Sequence, residues 1–378
     1  AYEPGSTFKI ITAAAALERH RVRPSEVIYC NHGHIMIGRY RMRDHKSFGD
    51  LTFTDIMARS SNVGAIKVGQ RLKNQEFYDT IRAFGFGEKT GVGLPGEQRG
   101  ILRRPAQWSG LSRASLSIGQ EITVTPLQIV AAVGAVANDG LALRPWIARS
   151  LHDPETGAIV HNTLPEPRRV ISSRTAHTLT RMLERVVESG TGQAAAVPGY
   201  RVAGKTGTAQ KSDPKGGGYL QGRYVASFVG YAPARNPHLI AIFVIDEPGV
   251  KAYHGGDVAA PAFGRFAARV LPGLGAAPDA GLGDSGLQQV KLRPARSGQA
   301  QWASQRTSYP VSASSRTLRR ATMPDLTGAS MRQAVTVLTD LGLSPVLSGQ
   351  GQVLAQEPLA GAPLPAGAEG CRLWLGRR

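Results

Sequence analysis

Cysteine is scarce in this sequence: Cys30 and Cys371 are the only two in 378 residues, too few for a disulfide-stapled scaffold. They stand near opposite ends of the chain, and no pairing between them is expected. Long apolar runs are missing as well. None reaches the ~18 residues that a membrane-spanning helix needs. Aromatic residues make up 6% and no nucleic-acid-binding motif accompanies them, so no nucleic-acid partner is expected. Acidic residues are outnumbered: 27 Asp+Glu face 45 Lys+Arg, a net charge of +18. Only 10 of those basic residues are Lys, so the excess is arginine. Such a balance suits anionic polymers or lipid; the plainer reading is an Arg-rich solvated surface. What is present suffices for a core. Hydrophobic residues are 42% and charged residues 19%, which excludes wholesale disorder. The length allows two or three domains. The sequence opens on Ala1 inside a patterned segment, with no signal peptide, and is read as the C-terminal part of a longer protein.

Periodicity divides the chain. Residues 6–19 read as a helix, with Ser6 suited to its start. Residues 27–48 alternate and carry Gly33 and Gly38, which predicts short strands and turns. Residues 52–84 are mostly helical, broken around 60–62, and 85–100 are Gly-rich and irregular. Thr125-Pro126 opens an apolar helix to about Ala137, and 172–189 form an amphipathic one. Strands are expected at 200–209, 224–232 and 238–246. The last is almost wholly apolar, the pattern of a central strand. A helix at 258–270 closes this α/β unit. Residues 272–320 are rich in Gly, Ala, Ser, Gln and Arg and read as a flexible basic linker. Beyond it, a helix near 329–342 and strands near 344–348, 353–356 and 372–375 make a small β/α domain.

Three short motifs carry chemistry. Ser6-Thr7-Phe8-Lys9 is an S-x-x-K, which on a helix puts the Lys amine on the face of the Ser hydroxyl. A serine is a poor nucleophile until a base takes its proton. A lysine is a base only when neutral, so its pKa must fall, as a helix N-terminus and a second cation would make it. Composition alone predicts roughly 0.7 such matches, and a second exists at Ser212-Asp213-Pro214-Lys215, where Pro and a Gly run argue for a loop. Ser60-Ser61-Asn62 is the one S-x-N. Ser60 could relay a proton and Asn62 hold a substrate amide; taken alone, a helix-capping cluster explains it as well. Lys205-Thr206-Gly207-Thr208 falls on an expected strand. Lys205 could be the second cation, the Thr hydroxyls could bind a carboxylate, and Gly207 could admit a ligand backbone. The copy at Lys89-Thr90-Gly91 has no strand pattern. Cys30, His32, His34 and His45 have an alternation that could suit a metal, but an exposed hairpin with ordinary polar residues is the preferred reading, and neither metal nor cofactor is expected.

The order S-x-x-K, S-x-N, K-T-G is the signature of penicillin-binding proteins and related β-lactamases. Longer stretches agree: YEPGSTFK at 2–9, SSNVGAIKVG at 60–69, FGFGEKTGVGLPGE at 84–97, SIGQEITVTPLQ at 117–128, VAGKTGTAQ at 202–210, ASFVGYAPA at 226–234 and HGGDVAAPAF at 254–263. From residue 2 to about 270 the chain resembles the transpeptidase domain of class B penicillin-binding proteins of the septal and sporulation type. Residues 322–376 resemble a PASTA domain. The resemblance implies a transpeptidase fold with helices packed on an antiparallel sheet (1–271), a linker (272–320) and a PASTA-like β/α domain (321–378). It implies peptidoglycan cross-linking at division or sporulation through an acyl-Ser6 intermediate. Lys9 would be the base, Ser60 and Lys205 would pass the proton to the leaving amine, and Asn62 would orient the donor peptide. Thr206 and Thr208 beside Gly207 would hold the terminal carboxylate, and the backbone N–H groups of Ser6 and Thr208 would form the oxyanion hole. The implied partners are peptidoglycan stem peptides, β-lactam antibiotics and the septal or sporulation wall machinery. The implied location is the outer face of the cell membrane, through an N-terminal anchor outside this chain.

Other readings share the fold. A serine β-lactamase of one large class uses a Glu ahead of a Leu-Asn pair, and no E-x-x-L-N occurs in residues 63–204. A β-lactam sensor acylates and signals. From another class comes a non-catalytic wall-binding scaffold, which the three intact motifs disfavour.

Overall fold

Residues 5–19 begin the core of the computed structural model. It describes residues 1–279 and 322–376, apart from 154–155, 157, 162–164, 214–217, 250–251, 342, 344, 350 and 364–370. The expected linker therefore lies almost wholly outside the described residues, as do Pro214 and Lys215 of the second S-x-x-K. The chain divides into two compact units, Ala1–Leu292 and Arg293–Arg378.

In the first unit a 3-10 turn, Gly5–Phe8, runs into α1 (Lys9–Glu18). Its sequence KIITAAAALE is rich in the best helix former and is buried from Lys9 to Leu17, as an apolar-all-round helix must be. Four short strands follow: β1 (Val27–Tyr29), β2 (His34–Ile37), β3 (Tyr40–Arg43) and β4 (Asp50–Thr52). β2 and β3 form a hairpin, and β1 pairs with β4. The helical stretch breaks where the motif predicts, into α2 (Phe53–Arg59) and α3 (Asn62–Gly69), followed by α4 (Asn74–Ala83). After α5 (Ser112–Ser117) comes α6 (Pro126–Ala137), started by a reciprocal cap. Thr125 Oγ1 accepts from Gln128 N at 3.1 Å and Gln128 Oε1 accepts from Thr125 N at 2.8 Å, which satisfies two donors at the helix start. β5 (Leu141–Ala142) pairs with β8 (Arg168–Arg169), and β6 (Ser150–His152) with β7 (Ile159–His161). α7 (Ser173–Glu188) buries Ala176, Leu179, Leu183, Val186 and Val187 on one face.

The main sheet of the unit is antiparallel, in the order β11-β10-β9, from β9 (Ala203–Ser212), β10 (Tyr219–Ala232) and β11 (Leu239–Asp246). The apolar strand β11 stands at its edge, and β10 is central. Among the described residues β11 has one strand neighbour, and its apolar side chains are half-buried against packing on both faces. Ile240 and Ile242 pack with the core of α1, α6 and α7. Leu239, Ala241, Phe243 and Ile245 pack with the cluster of Phe228 and Phe263 on the other face. Phe263 lies in α9 (Ala260–Val270), which follows the short α8 (Gly255–Val258). Fully buried side chains of this size each contribute about 1.5–3 kcal/mol. They hold β9 in a fixed place between helices, which is what the site requires of it.

The second unit packs α10 (Met331–Asp340) on a sheet of β12 (Val346–Gly349), β13 (Gln352–Glu357) and β14 (Arg372–Gly376), in the order β12-β14-β13. Its core includes Leu326, Ala334, Leu338, Val353, Leu373 and Leu375. The expected α/β architecture with an added small β/α unit is therefore observed. Both cysteines are free and buried. No described helix is long and apolar enough to cross a membrane.

Candidate active site

The nucleophile segment is fastened before it turns helical. Tyr2 and Val124 exchange two backbone hydrogen bonds of 2.9 Å, and Gly5 N donates to Gly119 O at 3.1 Å. Gly5 has φ +55°, and a Cβ there would stand 3.1 Å from Ala209 Cβ, so the turn is pressed on β9. Ser6 and Lys9 are expected on one face of an α-helix, but a 3-10 turn joins them and α1 starts only at Lys9. Residues three apart eclipse in such a turn, so the shared face survives in tighter form. Ser6 is half-buried and lines a cavity of about 670 Å³.

Lys9 is fully buried. Its Nζ donates to Ser60 O at 2.7 Å, to Asn62 Oδ1 at 2.7 Å and to Ser60 Oγ at 3.3 Å. Two of these partners are carbonyl oxygens, which only accept. A neutral amine would serve both with its two N–H bonds and keep its lone pair for a hydroxyl.

Ser60 ends α2 in the left-handed region, φ +60°, a conformation costly to a residue with a Cβ and common where a side chain must be aimed. Ser61 then caps α3, its Oγ accepting from Gly64 N at 3.0 Å. The three residues are thus both a capping cluster and a constellation of functional groups.

Lys205, on β9, is also fully buried, and its Nζ donates to Ser60 Oγ at 2.9 Å and to Thr206 O at 3.3 Å. Thr206 Oγ1 and Thr191 Oγ1 are 2.6 Å apart, and Thr208 Oγ1 accepts from Gly255 N at 3.0 Å. Both Thr206 and Thr208 line the cavity. Gly207 is crowded by the protein's own chain: a Cβ would meet Ser227 Oγ at 2.4 Å and Thr7 Cγ2 at 3.0 Å. The glycine is needed so that β9 can lie against both β10 and the nucleophile turn.

Burial pushes the Lys9 amine down to about 7, opposed in part by the Asp44 charge. Burial pushes Lys205 well below the usual lysine range, and the Lys9 charge adds to the effect. Two buried amines sharing one hydroxyl, each driven toward its neutral form, can accept and return protons more readily than ordinary lysines. On the far wall, Tyr224 and Tyr253 stack at 4.5 Å.

The structure brings Ser6, Ser60, Asn62, Thr206 and Thr208 to one cavity, with Lys9 and Lys205 bonded to Ser60 behind it. The sequence reading assigned no role to Asp44, Thr191 or Gly255; Gly255 lies in the 254–263 stretch, and the other two belong to no motif. The second K-T-G folds elsewhere: Thr90 and Gly91 close around the Glu97 carboxylate. Cys30 donates its thiol to Ile28 O at 3.5 Å. Among the described residues no three His, Cys, Asp or Glu side chains gather as a metal-ligand set.

Comparison with known proteins adds an independent line. Residues 1–268 match the profile of the penicillin binding protein transpeptidase domain, and residues 321–369 that of the PASTA domain. Stage V sporulation protein D of Bacillus subtilis is 36% identical over 372 residues, 97% of this chain and 53% of that protein. Peptidoglycan D,D-transpeptidase FtsI of Escherichia coli is 35% identical over 280 residues, 74% of this chain and 45% of that protein. Penicillin binding protein 3 of Mycobacterium tuberculosis, solved in complex with aztreonam, has a TM-score of 0.68 at 36% identity. It covers 74% of this chain and 64% of that one. The chain spans about half the length of the two curated relatives.

Proposed function

Because the chain belongs to the penicillin-binding protein transpeptidase family and also carries a PASTA domain, we propose that it is a serine-type peptidoglycan D,D-transpeptidase. It cross-links stem peptides at division or sporulation, at the outer face of the cell membrane, and is acylated by β-lactams. Residues 1–271 form the catalytic domain, joined through 272–320 to the PASTA-like domain, 321–378.

In this reading Ser6 Oγ attacks the penultimate D-Ala carbonyl of a donor stem pentapeptide. Lys9 takes the hydroxyl proton, and Ser60 and Lys205 pass a proton to the departing D-Ala amine. The backbone N–H groups of Ser6 and Thr208 stabilise the oxyanion, each worth about 3–4 kcal/mol in such acyl transfers. Thr206 and Thr208, beside Gly207, take the terminal carboxylate, and Asn62 orients the donor amide. An acceptor amine from a second stem peptide then attacks the ester. The new C–N bond replaces the C–Oγ bond, and Ser6 recovers its proton.

The observation that carries this reading is the meeting of Lys9 and Lys205 on Ser60 Oγ, at 3.3 and 2.9 Å, behind the cavity that Ser6 lines. The test is intact-mass analysis after incubation with a labelled penicillin, with Ser6→Ala alongside. A stable adduct on the wild type only, followed by D,D-cross-linking of a stem-peptide donor to an amine, is the expected result. An adduct that clears within seconds would make the protein a β-lactamase. A stable adduct without cross-linking would make it a sensor, and no adduct would favour the scaffold reading.

A further inference from the structure

Asp44 belongs to none of the three motifs, yet it touches one of them through two bonds and the residue after it through a third. It follows β3, and its backbone N donates to Gly33 O at 2.8 Å, which fixes it on the β2–β3 hairpin. Its Oδ1 accepts from Asn62 N and from Val63 N, the latter at 3.1 Å. Its Oδ2 accepts from Ser61 Oγ at 2.8 Å. With Ser61 Oγ accepting from Gly64 N, the first three N–H groups of α3 all have partners, as a buried helix start requires. The preceding residue completes the grip: Arg43 O accepts from Asn62 Nδ2 at 2.8 Å. Asn62 Oδ1 is thereby aimed at Lys9 Nζ, 2.7 Å away.

Asp44 also lines the same cavity as Ser6. The charged and titratable groups around this corner include Lys9 of α1, Lys205 of β9, Arg43, His45 and Lys46 flanking Asp44, His254 ahead of α8, and Cys30, which follows β1. Lys9 and Lys205 are fully buried amines driven toward their neutral forms, and Asp44 is the acidic side chain whose charge opposes this at Lys9. Resting on the transpeptidase reading, we infer that Asp44 is a positioning residue of the acylation step. It fixes the 60–62 turn from outside the motif and supplies the counter-charge to the buried Lys9 amine.

A helix cap alone would do the first of these things and not the second, so the two are separable. Asp44→Asn keeps an oxygen for the Asn62 and Val63 N–H groups and removes the charge. Asp44→Ala removes both. Asp44→Glu keeps the charge and displaces the cap. The readout is the pH dependence of Ser6 acylation by a labelled penicillin, from pH 5 to 9. The negative charge favours the Lys9 ammonium, so its loss makes the neutral amine available at lower pH. The rising limb of Asp44→Asn is expected to move down by about one pH unit, with a plateau within about threefold of the wild type. Asp44→Ala is expected to show the same shift and a plateau at least tenfold lower. Asp44→Glu keeps the limb in place and lowers the plateau. An Asp44→Asn limb that coincides with the wild type overturns the inference and leaves Asp44 a cap. If Asp44→Asn does not fold, an Asp44→Glu limb that shifts overturns it equally. A wild type that takes no label overturns the transpeptidase reading and this inference with it, whereas one that takes label without such a limb overturns this inference alone.

Discussion

Lys9 and Lys205 meet on one oxygen: Ser60 Oγ lies 3.3 Å from the first amine and 2.9 Å from the second. The residues come from α1 and β9, elements 196 positions apart in the chain, and each amine is wholly buried. A hydroxyl can donate one proton and accept others, so Ser60, which both amines touch, can pass a proton between them. The arrangement is costly to fold, because two cations resist burial together. It is useful for the same reason, since each amine is driven toward its neutral form.

Ser60 therefore combines a relay with a strained backbone, and substitution separates the two. Ser60→Ala removes the shared hydroxyl and keeps the left-handed strain, φ +60°. Acylation by a labelled penicillin is expected to slow by about 10²-fold, the lower end for loss of a proton-transfer group. Ser60→Gly loses the hydroxyl too but suits the conformation. It should be more stable than Ser60→Ala by about 1 kcal/mol, measured as the difference in urea midpoints. Equal stability of the two variants would mean that the strain is absent.

The buried lysines also set how stability varies with pH. Lys9 titrates at about 7 in the folded protein against an ordinary 10.5. Between those values the unfolded chain holds a proton that the native state lacks, so stability rises with pH through that window and is lowest below pH 7. The slope approaches about 1.4 kcal/mol per pH unit for one such group, and Lys205 adds to it in the same sense. Denaturant unfolding at pH 6, 7, 8 and 9 should show this climb. It should be shallower in Lys9→Met and nearly flat in the double variant with Lys205→Met. An unchanged climb in the double variant would place its origin elsewhere.

Much of this architecture was legible in the residues. The Thr125-Pro126 start and the amphipathic period of 172–189 place helices where expected, because capping and helical periodicity are local chemistry. The motif lysines and serines converge because their spacing reports an established arrangement. Strand position was less legible: β11 reads as central but lies at the edge of its sheet among the described residues, since hydrophobicity records packing on the faces and not hydrogen-bonded neighbours. Asp44 was invisible, because a cap supplied from a hairpin 17 residues upstream leaves no periodic mark. Lys89-Thr90-Gly91 and Lys205-Thr206-Gly207 share three letters, and only strand context tells them apart. The first wraps Glu97, and the second lies between β10 and the nucleophile turn.

Gly207 offers the sharpest steric test of how the site is assembled. A Cβ at this position would stand 2.4 Å from Ser227 Oγ, 3.0 Å from Thr7 Cγ2 and 3.2 Å from Pro4 O. Ser227 sits opposite Gly207 in the β9–β10 register, and Thr7 follows the nucleophile. One added methyl must therefore push β9 away from β10 or push the 4–7 turn away from β9. Overpacking of this kind costs about 1–3 kcal/mol, and the softer partner yields more. A side-chain hydroxyl can rotate or be removed, whereas Pro4 O is backbone. Gly207→Ala is expected to lower the unfolding free energy by that amount and to slow Ser6 acylation at least tenfold. Adding Ser227→Gly relieves the 2.4 Å contact and should restore much of the stability while leaving acylation impaired, because the Thr7 and Pro4 contacts remain. Recovery of both properties in the double variant would show that the nucleophile turn does not depend on Gly207, and that only the sheet does.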